Sequence, residues 1–406
     1  MNGYKIINDP VFGFIKVRQG LLLDLVKHPL FQRLARIKQL GLTSMVYPGA
    51  QHSRFQHSLG AYHLMGEAIL TLSQKGIFIF DSEAEGVEAA ILLHDIGHGP
   101  FSHVLENTLM KGITHEDVSL RMMEEINAEM NGALTMAIAI FKNTYPKRFL
   151  HQLISSQLDM DRLDYLRRDS FFTGVDEGNI GSARIIKMLN VVDDRLVVDA
   201  KGIYSIENYL TSRRLMYWQV YLHRTTVACE KILVNLLLRA KRLTQEGKEV
   251  FATPPLKYFL EHDVDRQHFE SHPEAYECYK MLDDNDIWSS IKIWALHDDT
   301  VLSRLAKDLL ERRPFQVEIS NEPFAPEKIE QLQHELATHF NVPFEDAAYF
   351  ISANTIEKYM YNPAEEHISI LFKDGQVKDI SEASELLSGE ALTKKNRKYY
   401  LCSQRI

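Results

Sequence analysis

Cysteine is rare in this chain of 406 residues, and the three copies lie far apart, at Cys229, Cys278 and Cys402. Their spacing fits neither a zinc finger nor a disulfide framework, and it indicates a reducing compartment. Long apolar runs are also missing. Charge interrupts each apolar helix, and the first residues lack the apolar stretch of a signal peptide. We therefore predict a cytoplasmic globular protein with no membrane partner.

Positive charge is scarce as well. The 46 lysines and arginines are outnumbered by 55 aspartates and glutamates, which gives a formal net charge of −9. This balance argues against a general nucleic-acid binder, although it is compatible with a local basic pocket. The length suits one large or two moderate domains. No internal repeat or low-complexity stretch is present.

The most informative stretch is LLHDIGHGPFSH, at residues 92–103. An apolar run ends in the adjacent pair His94-Asp95, and two glycines and a proline then prevent the helix from continuing. Imidazole plus carboxylate suits Mn, Fe, Zn, Ni or Mg better than a thiophilic metal. A capping aspartate beside a core histidine would explain an isolated pair. Three imidazoles and a carboxylate on one glycine-broken turn favour a divalent-metal site.

An earlier segment offers a third ligand. Ser53 and Gln56 have the spacing of a capping box, which starts a helix that runs to about residue 75. Arg54 and His57 share one face of its first turn, where helix-start amides and an arginine favour an anion. A lone histidine there would be an ordinary N-terminal residue. Together with the histidine–aspartate pair, His57 becomes a candidate ligand.

A mostly apolar helix that ends near Asp169 offers a fourth ligand. Asp161, Tyr165 and Asp169 fall four apart along one face and are interleaved with arginines. A solvated acidic helix would explain these carboxylates, but this helix is too apolar to lie free in solvent. We select Asp161, although spacing alone does not choose it over Asp159 or Asp164.

The remaining pattern is mainly helical. Residues 195–198 and 203–204 predict a β-hairpin around a turn at 200–202, after which Ser205 is expected to cap one long helix over 206–244. One face of that helix repeats every four residues: Arg213, Tyr217 and Tyr221. Strands and helices mix after residue 315. We predict a mainly α protein, with a helical domain over residues 1–250 and, over 251–406, a helical extension with a mixed α+β lobe.

The order of the candidate ligands resembles the H…HD…D signature of the HD superfamily of metal-dependent phosphohydrolases. The surrounding motifs are more specific, and together they resemble its deoxynucleoside triphosphate triphosphohydrolase branch. These motifs lie at residues 7–10 (INDP), 31–34 (FQRL), 37–41 (IKQLG), 47–50 (YPGA), 54–60 (RFQHSLG), 94–103, 114–116 (THE) and 161–169. The resemblance covers roughly residues 4–230.

The resemblance implies a large all-helical HD domain with a smaller C-terminal α+β lobe, and hydrolysis of a dNTP to deoxynucleoside and triphosphate. It assigns one divalent metal ion to the residues that match the signature: His57, His94, Asp95 and Asp161. It assigns the catalytic roles near the phosphates to three histidines and a glutamate that orients a histidine: His98, His103, Glu106 and His115.

The resemblance also implies a substrate pocket. Three arginines would neutralise the phosphates: Arg54, Arg162 and Arg213. Other residues would surround the sugar: Gln39, Leu40, Tyr165, Asp169 and Tyr221. Of these, Tyr221 would restrict the room for a 2′-hydroxyl. The family alone implies a homo-oligomer.

The chemistry of nucleotide hydrolysis calls for these residue types. Attack on phosphorus needs a nucleophilic water, whose pKa a bound divalent ion lowers to around 7 in favourable sites. The leaving oxygen needs an acid that titrates near neutrality, which histidine provides. An acidic protein needs local arginines to bind a polyphosphate.

We therefore predict a metal-dependent phosphohydrolase that acts on nucleotides, specifically a dNTP triphosphohydrolase. One alternative is an HD phosphohydrolase for another phosphoester, such as a nucleoside monophosphate or a cyclic or signalling nucleotide. The other is a nucleotide-binding regulator without catalysis. Product analysis separates the first alternative, and Asp95→Ala separates the second because a pure binder would keep its function.

Overall fold

Helices make up most of the chain in the computed structural model, which describes residues 3–358, 361, 367–386 and 396–406. The helices before residue 250 are α1 (Leu21–Lys27), α2 (Pro29–Arg33), α3 (Arg54–Gln74), α4 (Asp81–Leu93), α5 (Ser102–Thr108), α6 (His115–Glu129), α7 (Thr135–Phe141), α8 (Arg148–Gln152), α9 (Met160–Thr173), α10 (Ser182–Met188), α11 (Ile203–Met216) and α12 (Arg224–Gln245). Those after it are α13 (Pro254–Glu261), α14 (Arg266–Ser271), α15 (Pro273–Met281), α16 (Asp284–Trp294), α17 (Thr300–Leu310), α18 (Pro326–Phe340), α19 (Phe344–Ala347) and α20 (Ile380–Ala383). Within the described residues, every helix is too short or too polar to cross a bilayer.

The strands form small sheets at the margins of the helical body. They are β1 (Tyr4–Asp9), β2 (Gly13–Arg18), β3 (Met110–Lys111), β4 (Leu189–Val192), β5 (Arg195–Asp199), β6 (Val264–Asp265), β7 (Gln316–Ser320), β8 (Ile351–Lys358), β9 (Ser369–Leu371), β10 (Val377–Asp379) and β11 (Asn396–Ser403). β1 and β2 form an N-terminal hairpin, and β7, β11 and β8 form an antiparallel C-terminal sheet. The predicted mainly α fold with a smaller strand-containing C-terminal lobe is confirmed.

The packing of α3 against α4 and α9 positions the site. Small and apolar residues recur at helical spacing along the buried face of α3: Ala61, Leu64 and Ala68. The last turn of α4, residues 89–93, is fully buried. The predicted capping contact at the start of α3 is present, since Ser53 N–H donates to Gln56 Oε1 at 2.9 Å. The first turn of α3 therefore lies where α4 ends.

The predicted hairpin partners are wrong. β5 pairs with the preceding strand β4, through a two-residue turn at Asp193 and Asp194. Both aspartates have positive φ, 49° and 59°, as a type I′ hairpin turn requires. Residues 200–202 instead form a short 3-10 turn that leads into α11. The Asp-Asp pair, and not the glycine-containing segment, supplies the turn.

The predicted single helix over residues 206–244 is also wrong. α11 ends at Met216, a π-helical turn spans Tyr217–Tyr221, and α12 begins at Arg224. His223 has an extended backbone and its side chain accepts from Thr225 N at 3.2 Å, which starts the new helix. The predicted stripe nevertheless persists across the π turn: Arg213 Cζ lies 6.0 Å from the centre of the Tyr217 ring, and the Tyr217 and Tyr221 rings are 5.2 Å apart.

Candidate metal centre and active site

Three side chains, from α3, the end of α4 and α9, bring together atoms that could bind a metal ion. His57 Nε2 lies 3.1 Å from Asp161 Oδ1 and 3.3 Å from His94 Nε2. His94 Nε2 and Asp161 Oδ1 are 3.5 Å apart. The His57 side chain is completely buried, whereas that of Asp161 is 26% exposed. Among these three side chains, Asp161 on α9 is therefore the one most exposed to solvent.

Both imidazoles direct the same nitrogen toward this cluster. His94 Nδ1 lies 2.6 Å from the carbonyl of Ile91, which can only accept, so Nδ1 carries the proton. His57 Nδ1 donates to Asp164 Oδ2 at 2.7 Å. Each Nε2 is thus placed to offer a lone pair, and with the Asp161 carboxylate the donor set fits a divalent cation.

His57 is held among carboxylates that favour its charged form. Burial lowers its pKa, but hydrogen bonds to Asp161 and Asp164 and the charge of Asp95 raise the pKa to about 10. A metal ion would therefore compete with a proton at this imidazole. The affinity of the centre for a cation should depend on pH for this reason.

Asp95 lies beside the cluster and is shared among several groups. Its Oδ1 is 3.4 Å from His94 Nε2, and its Oδ2 is 3.7 Å from His57 Nε2. Oδ2 also accepts from Arg54 Nη1 at 2.6 Å. Burial raises the pKa of Asp95, but the neighbouring imidazoles, His98 first, and the Arg54 guanidinium lower it well below its ordinary value. Asp95 is ionised at neutral pH and can complete a ligand set.

The turn that carries the histidine–aspartate pair is fixed from three directions. Ser119 Oγ donates to the carbonyl of His94 at 2.8 Å and accepts from Gly97 N at 2.9 Å. Tyr279 OH donates to the Gly97 carbonyl at 2.7 Å, and Arg33 Nη1 donates to the His98 carbonyl at 2.8 Å. Side chains of α2, α6 and α15 therefore set the position of this loop.

A second polar cluster adjoins Asp95. His98 Nε2 lies 3.2 Å from Asp95 Oδ1, and its ring stacks on that of His115 with centroids 3.8 Å apart. Glu106 Oε1 accepts from His115 Nδ1 at 3.0 Å and from Ser102 Oγ at 3.1 Å. The structure thus brings together three of the four predicted catalytic residues, with Glu106 orienting His115.

The two stacked histidines differ in their surroundings. Burial and the Arg54 cation lower the pKa of His98 well below its ordinary value, so that this imidazole is neutral at pH 7. The His115 side chain is 25% exposed, in contact with Glu106. The fourth predicted residue, His103, falls within α5, but its side chain lies outside the described part of the structure.

A group of aromatic side chains surrounds Asp169 on the α9 side of the centre. Asp169 accepts from Tyr221 OH at 2.7 Å through Oδ2, and its Oδ1 lies 2.7 Å from His52 Nε2. The Tyr165 ring is 6.1 Å from that of Tyr221 and 6.5 Å from that of His57, centroid to centroid. Three of the residues predicted to surround the sugar therefore lie together beside His57.

The remaining predicted substrate residues border the same region. Arg162 forms an ion pair with Asp159, and Arg213 Nη1 donates to Gln157 Oε1 at 2.8 Å. Gln39, which precedes Leu40, bonds through its N–H to the His52 carbonyl at 3.0 Å. Several buried atoms here have no hydrogen-bond partner among the described residues: Gln39 Oε1, Arg54 Nε and Arg162 Nε. Buried polar atoms are normally satisfied, so these atoms point to a polar ligand.

Two family models match the chain: the HD domain over residues 54–169 and the HD-associated region over residues 180–327. The chain is similar to a phosphohydrolase from Bacteroides thetaiotaomicron VPI-5482 whose crystal structure is known. The two sequences are 61% identical, and the structures superpose with a TM-score of 0.97 over 99% of this chain and 100% of the other. The chain belongs to the HD-domain phosphohydrolases. The predicted family is thereby confirmed.

Two further proteins are similar to this HD-domain phosphohydrolase in sequence. It is 35% identical to protein YwfO of Bacillus subtilis (strain 168), over 97% of the chain and 90% of YwfO. It is 30% identical to the human deoxynucleoside triphosphate triphosphohydrolase SAMHD1, over 69% of the chain. The match spans 50% of that human protein, so the chain corresponds to about half of its length.

Sequence reasoning gave no role to three buried residues of the centre, Asp9, His52 and Arg168, and it considered a fourth, Asp164, only as an alternative metal ligand. Asp164 and Arg168 are an i,i+4 pair in a mostly buried helix, a signal that could have been found. Asp9 and His52 lie outside residues 54–169, and they reach the centre only through contacts that are distant in sequence.

Proposed function

We propose that this HD-domain phosphohydrolase acts on nucleotides and converts dNTPs to deoxynucleoside and triphosphate. The observation that carries the proposal is that the candidate metal ligands and the predicted sugar-binding residues lie next to each other. The converging atoms of His57, His94 and Asp161 lie directly beside the Tyr165, Asp169 and Tyr221 group. A candidate cation site next to a group of aromatic and polar side chains suits a ligand with phosphate at one end and a sugar at the other.

Four residues would hold a divalent ion: His57, His94, Asp95 and Asp161. When bound, such an ion supplies Lewis-acid polarisation of a phosphoryl oxygen and lowers the pKa of a water. The chain's own contribution is the arrangement of the donors. Hydrogen bonds at both Nδ1 atoms hold the two imidazoles in place, and Arg54 fixes the Asp95 carboxylate.

The phosphates would lie against the arginines of this region. Arg54 keeps its Nε without a partner among the described residues while Nη1 holds Asp95, so the guanidinium is already oriented. Arg162 likewise has an unpartnered Nε. Arginine binds phosphate oxygens through several N–H groups at once, which compensates for the acidic net charge of the chain.

The leaving oxygen would receive its proton from the second polar cluster. His98 is neutral at pH 7, so the proton donor is better assigned to His115. Glu106 accepts from His115 Nδ1 at 3.0 Å and so orients the imidazole that would donate the proton. The same contact holds the His115 ring in place beside His98. The role of His103 stays a prediction.

The sugar would lie between Tyr165 and the Asp169 group. Asp169 is held at both oxygens, by Tyr221 OH and by His52 Nε2, so its carboxylate cannot rotate freely. The Tyr221 hydroxyl therefore occupies space beside a fixed acceptor, which supports its role in excluding a 2′-hydroxyl. The 30% identity to human SAMHD1, whose name states dNTP triphosphohydrolysis, supports the same substrate class.

Product analysis tests the proposal. The purified chain, loaded in separate samples with Mn²⁺, Fe²⁺, Zn²⁺, Ni²⁺ or Mg²⁺, is incubated with dNTPs, rNTPs, nucleoside monophosphates and cyclic nucleotides. We expect deoxynucleoside and inorganic triphosphate from dNTPs, and no product from a His94→Ala control. Intact dNTPs with every ion would contradict the substrate. Phosphate, pyrophosphate or an opened ring would indicate a different phosphoester.

A further inference from the structure

A chain of buried ionic contacts runs from the N-terminal hairpin toward the centre. At the end of β1, Asp9 Oδ1 accepts from the N–H groups of Val11 and Phe12, each at 2.9 Å. Asp9 Oδ2 accepts from Arg168 Nη1 at 2.8 Å. The aspartate therefore both closes the hairpin turn and anchors Arg168 of α9, which lies 159 residues further along the chain.

Arg168 extends this contact to a second carboxylate. Its Nε and Nη2 donate to the two oxygens of Asp164, both at 2.9 Å. Asp164 Oδ2 in turn accepts from His57 Nδ1 at 2.7 Å. Asp9 is 7% exposed, and the other three residues are fully buried. Solvent does not compete for these donors, so each contact restrains the next one.

The backbone of α3 prevents these groups from rearranging. A Cβ placed on Gly60 would lie 1.9 Å from Asp164 Oδ1 and 2.2 Å from Arg168 Nη2. The ion pair is thus pressed against the helix that carries His57, at a distance only glycine permits. The Asp164 carboxylate has no space to turn away from the imidazole.

We propose that Asp9, Arg168 and Asp164 are positioning residues that hold the His57 imidazole with Nε2 aimed at the metal site. The inference rests on the metal centre of the proposed function. It makes the N-terminal hairpin part of that centre, although Asp9 lies outside the matched HD region. One carboxylate would neutralise Arg168, and the second leaves a surplus negative charge that strengthens the Nδ1–H bond of His57.

Mn²⁺ binding to the full-length protein tests this inference without any substrate. Free Mn²⁺ is followed by electron paramagnetic resonance in wild type, Asp164→Asn and Asp9→Asn. We expect a roughly 10- to 100-fold weaker affinity in Asp164→Asn, as is typical when the hydrogen-bond partner of a metal-binding histidine is changed. Asp9→Asn acts through two further groups, so we expect a loss of about 3- to 10-fold.

Asp308→Asn is the matched control. Asp308 is also a buried aspartate in an i,i+4 pair with an arginine, Arg304, but it belongs to α17 and does not contact the centre. We expect its Mn²⁺ affinity to equal that of wild type. A loss in this control equal to that of Asp164→Asn would overturn the proposal, because any lost buried ion pair would then have the same effect.

A second measurement distinguishes a change in the position of the His57 imidazole from a general loss of folded structure. Co²⁺-loaded protein should change its visible absorption in Asp164→Asn, because the spectrum reports the ligand arrangement, and circular dichroism confirms that the variant is folded. If Asp164→Asn does not fold, Asp9→Asn decides. Affinity within about twofold of wild type in the folded variants would overturn the proposal. Failure of wild type itself to bind Mn²⁺ or Co²⁺ would overturn the metal centre of the proposed function instead.

Discussion

Gly97 sits where the histidine–aspartate turn touches the start of α6, and replacing it by alanine tests the geometry of the whole site. A Cβ at this position would lie 2.2 Å from Ser119 N, 2.3 Å from the His115 carbonyl oxygen and 2.7 Å from Ser119 Oγ. Ordinary contacts of a Cβ begin at 3.4 Å, so the turn and α6 must separate by roughly 1 Å. Two of the three contacts are with backbone atoms, which cannot rotate away.

This separation has a cost in stability and in activity. Inserting a methyl group into a packed interior costs about 1–3 kcal/mol, and we expect the upper end because the backbone must move. The turn and α6 carry the stacked His98 and His115, whose rings are 3.8 Å apart. A shift of about 1 Å in this pair should reduce the rate of nucleotide hydrolysis by roughly 100-fold.

Urea unfolding of metal-free Gly97→Ala, followed by circular dichroism, measures the first effect, and initial rates measure the second. Gly66→Ala is the control. Gly66 lies within α3, and the nearest atom to an added Cβ there would be Glu88 Oε1, at an ordinary contact distance of 3.7 Å. There we expect a gain of about 0.5–1 kcal/mol from helix propensity. A free energy of unfolding for Gly97→Ala within about 0.5 kcal/mol of wild type would refute the argument.

Three further predictions concern protons and the sugar. Mn²⁺ binding should release a proton from His57, whose pKa is raised to about 10, so affinity should rise with pH up to that value in calorimetry. Burial raises the pKa of Asp284 to about 6, so protonation stabilises the fold at low pH and this stabilisation is lost between about pH 4 and 6. Relative to wild type, Asp284→Asn should gain about 3 kcal/mol over that interval in urea unfolding. Tyr221→Phe should raise the rate on rNTPs relative to dNTPs by roughly tenfold, measured by product release.

Local sequence signals determined much of the helical body. The capping box at Ser53 and the glycine-broken turn after His94-Asp95 predicted where α3 begins and where α4 ends. Such signals act within a few residues, so they can be recognised without the rest of the fold. The family followed from the motifs around these same positions.

Other elements depended on details that short-range patterns do not contain. The Asp193-Asp194 turn has no glycine, and its two left-handed residues are tolerated because aspartate adopts positive φ more readily than most residues. The π turn at Tyr217–Tyr221 lies in a sequence with good helical periodicity. A local pattern cannot predict an extra residue in one helical turn, since what stabilises it are contacts such as that between Tyr221 and Asp169.

Three aspartates at the start of α9, one capping it and two within it, show where spacing stops being informative. Asp159 caps the helix and pairs with Arg162, Asp161 reaches His57 Nε2, and Asp164 holds the opposite nitrogen of the same imidazole. All three carboxylates are close in sequence and similar in chemistry. What separates their roles is the direction in which each leaves the helix relative to α3, and that direction is set by tertiary packing.

The HD region alone does not account for the geometry of the centre. Residues 54–169 contain every residue of the H…HD…D signature, but three of the groups that restrain them lie elsewhere. Asp9 anchors the Arg168–Asp164 pair, Arg33 holds the His98 carbonyl, and Tyr279 holds the Gly97 carbonyl. Since a metal site needs its ligands within tenths of an ångström, contacts that restrain the ligand-bearing segments contribute to its geometry even from outside the HD region. The N-terminal hairpin, α2 and α15 therefore each contribute a contact to the site, although all three lie outside the matched HD domain.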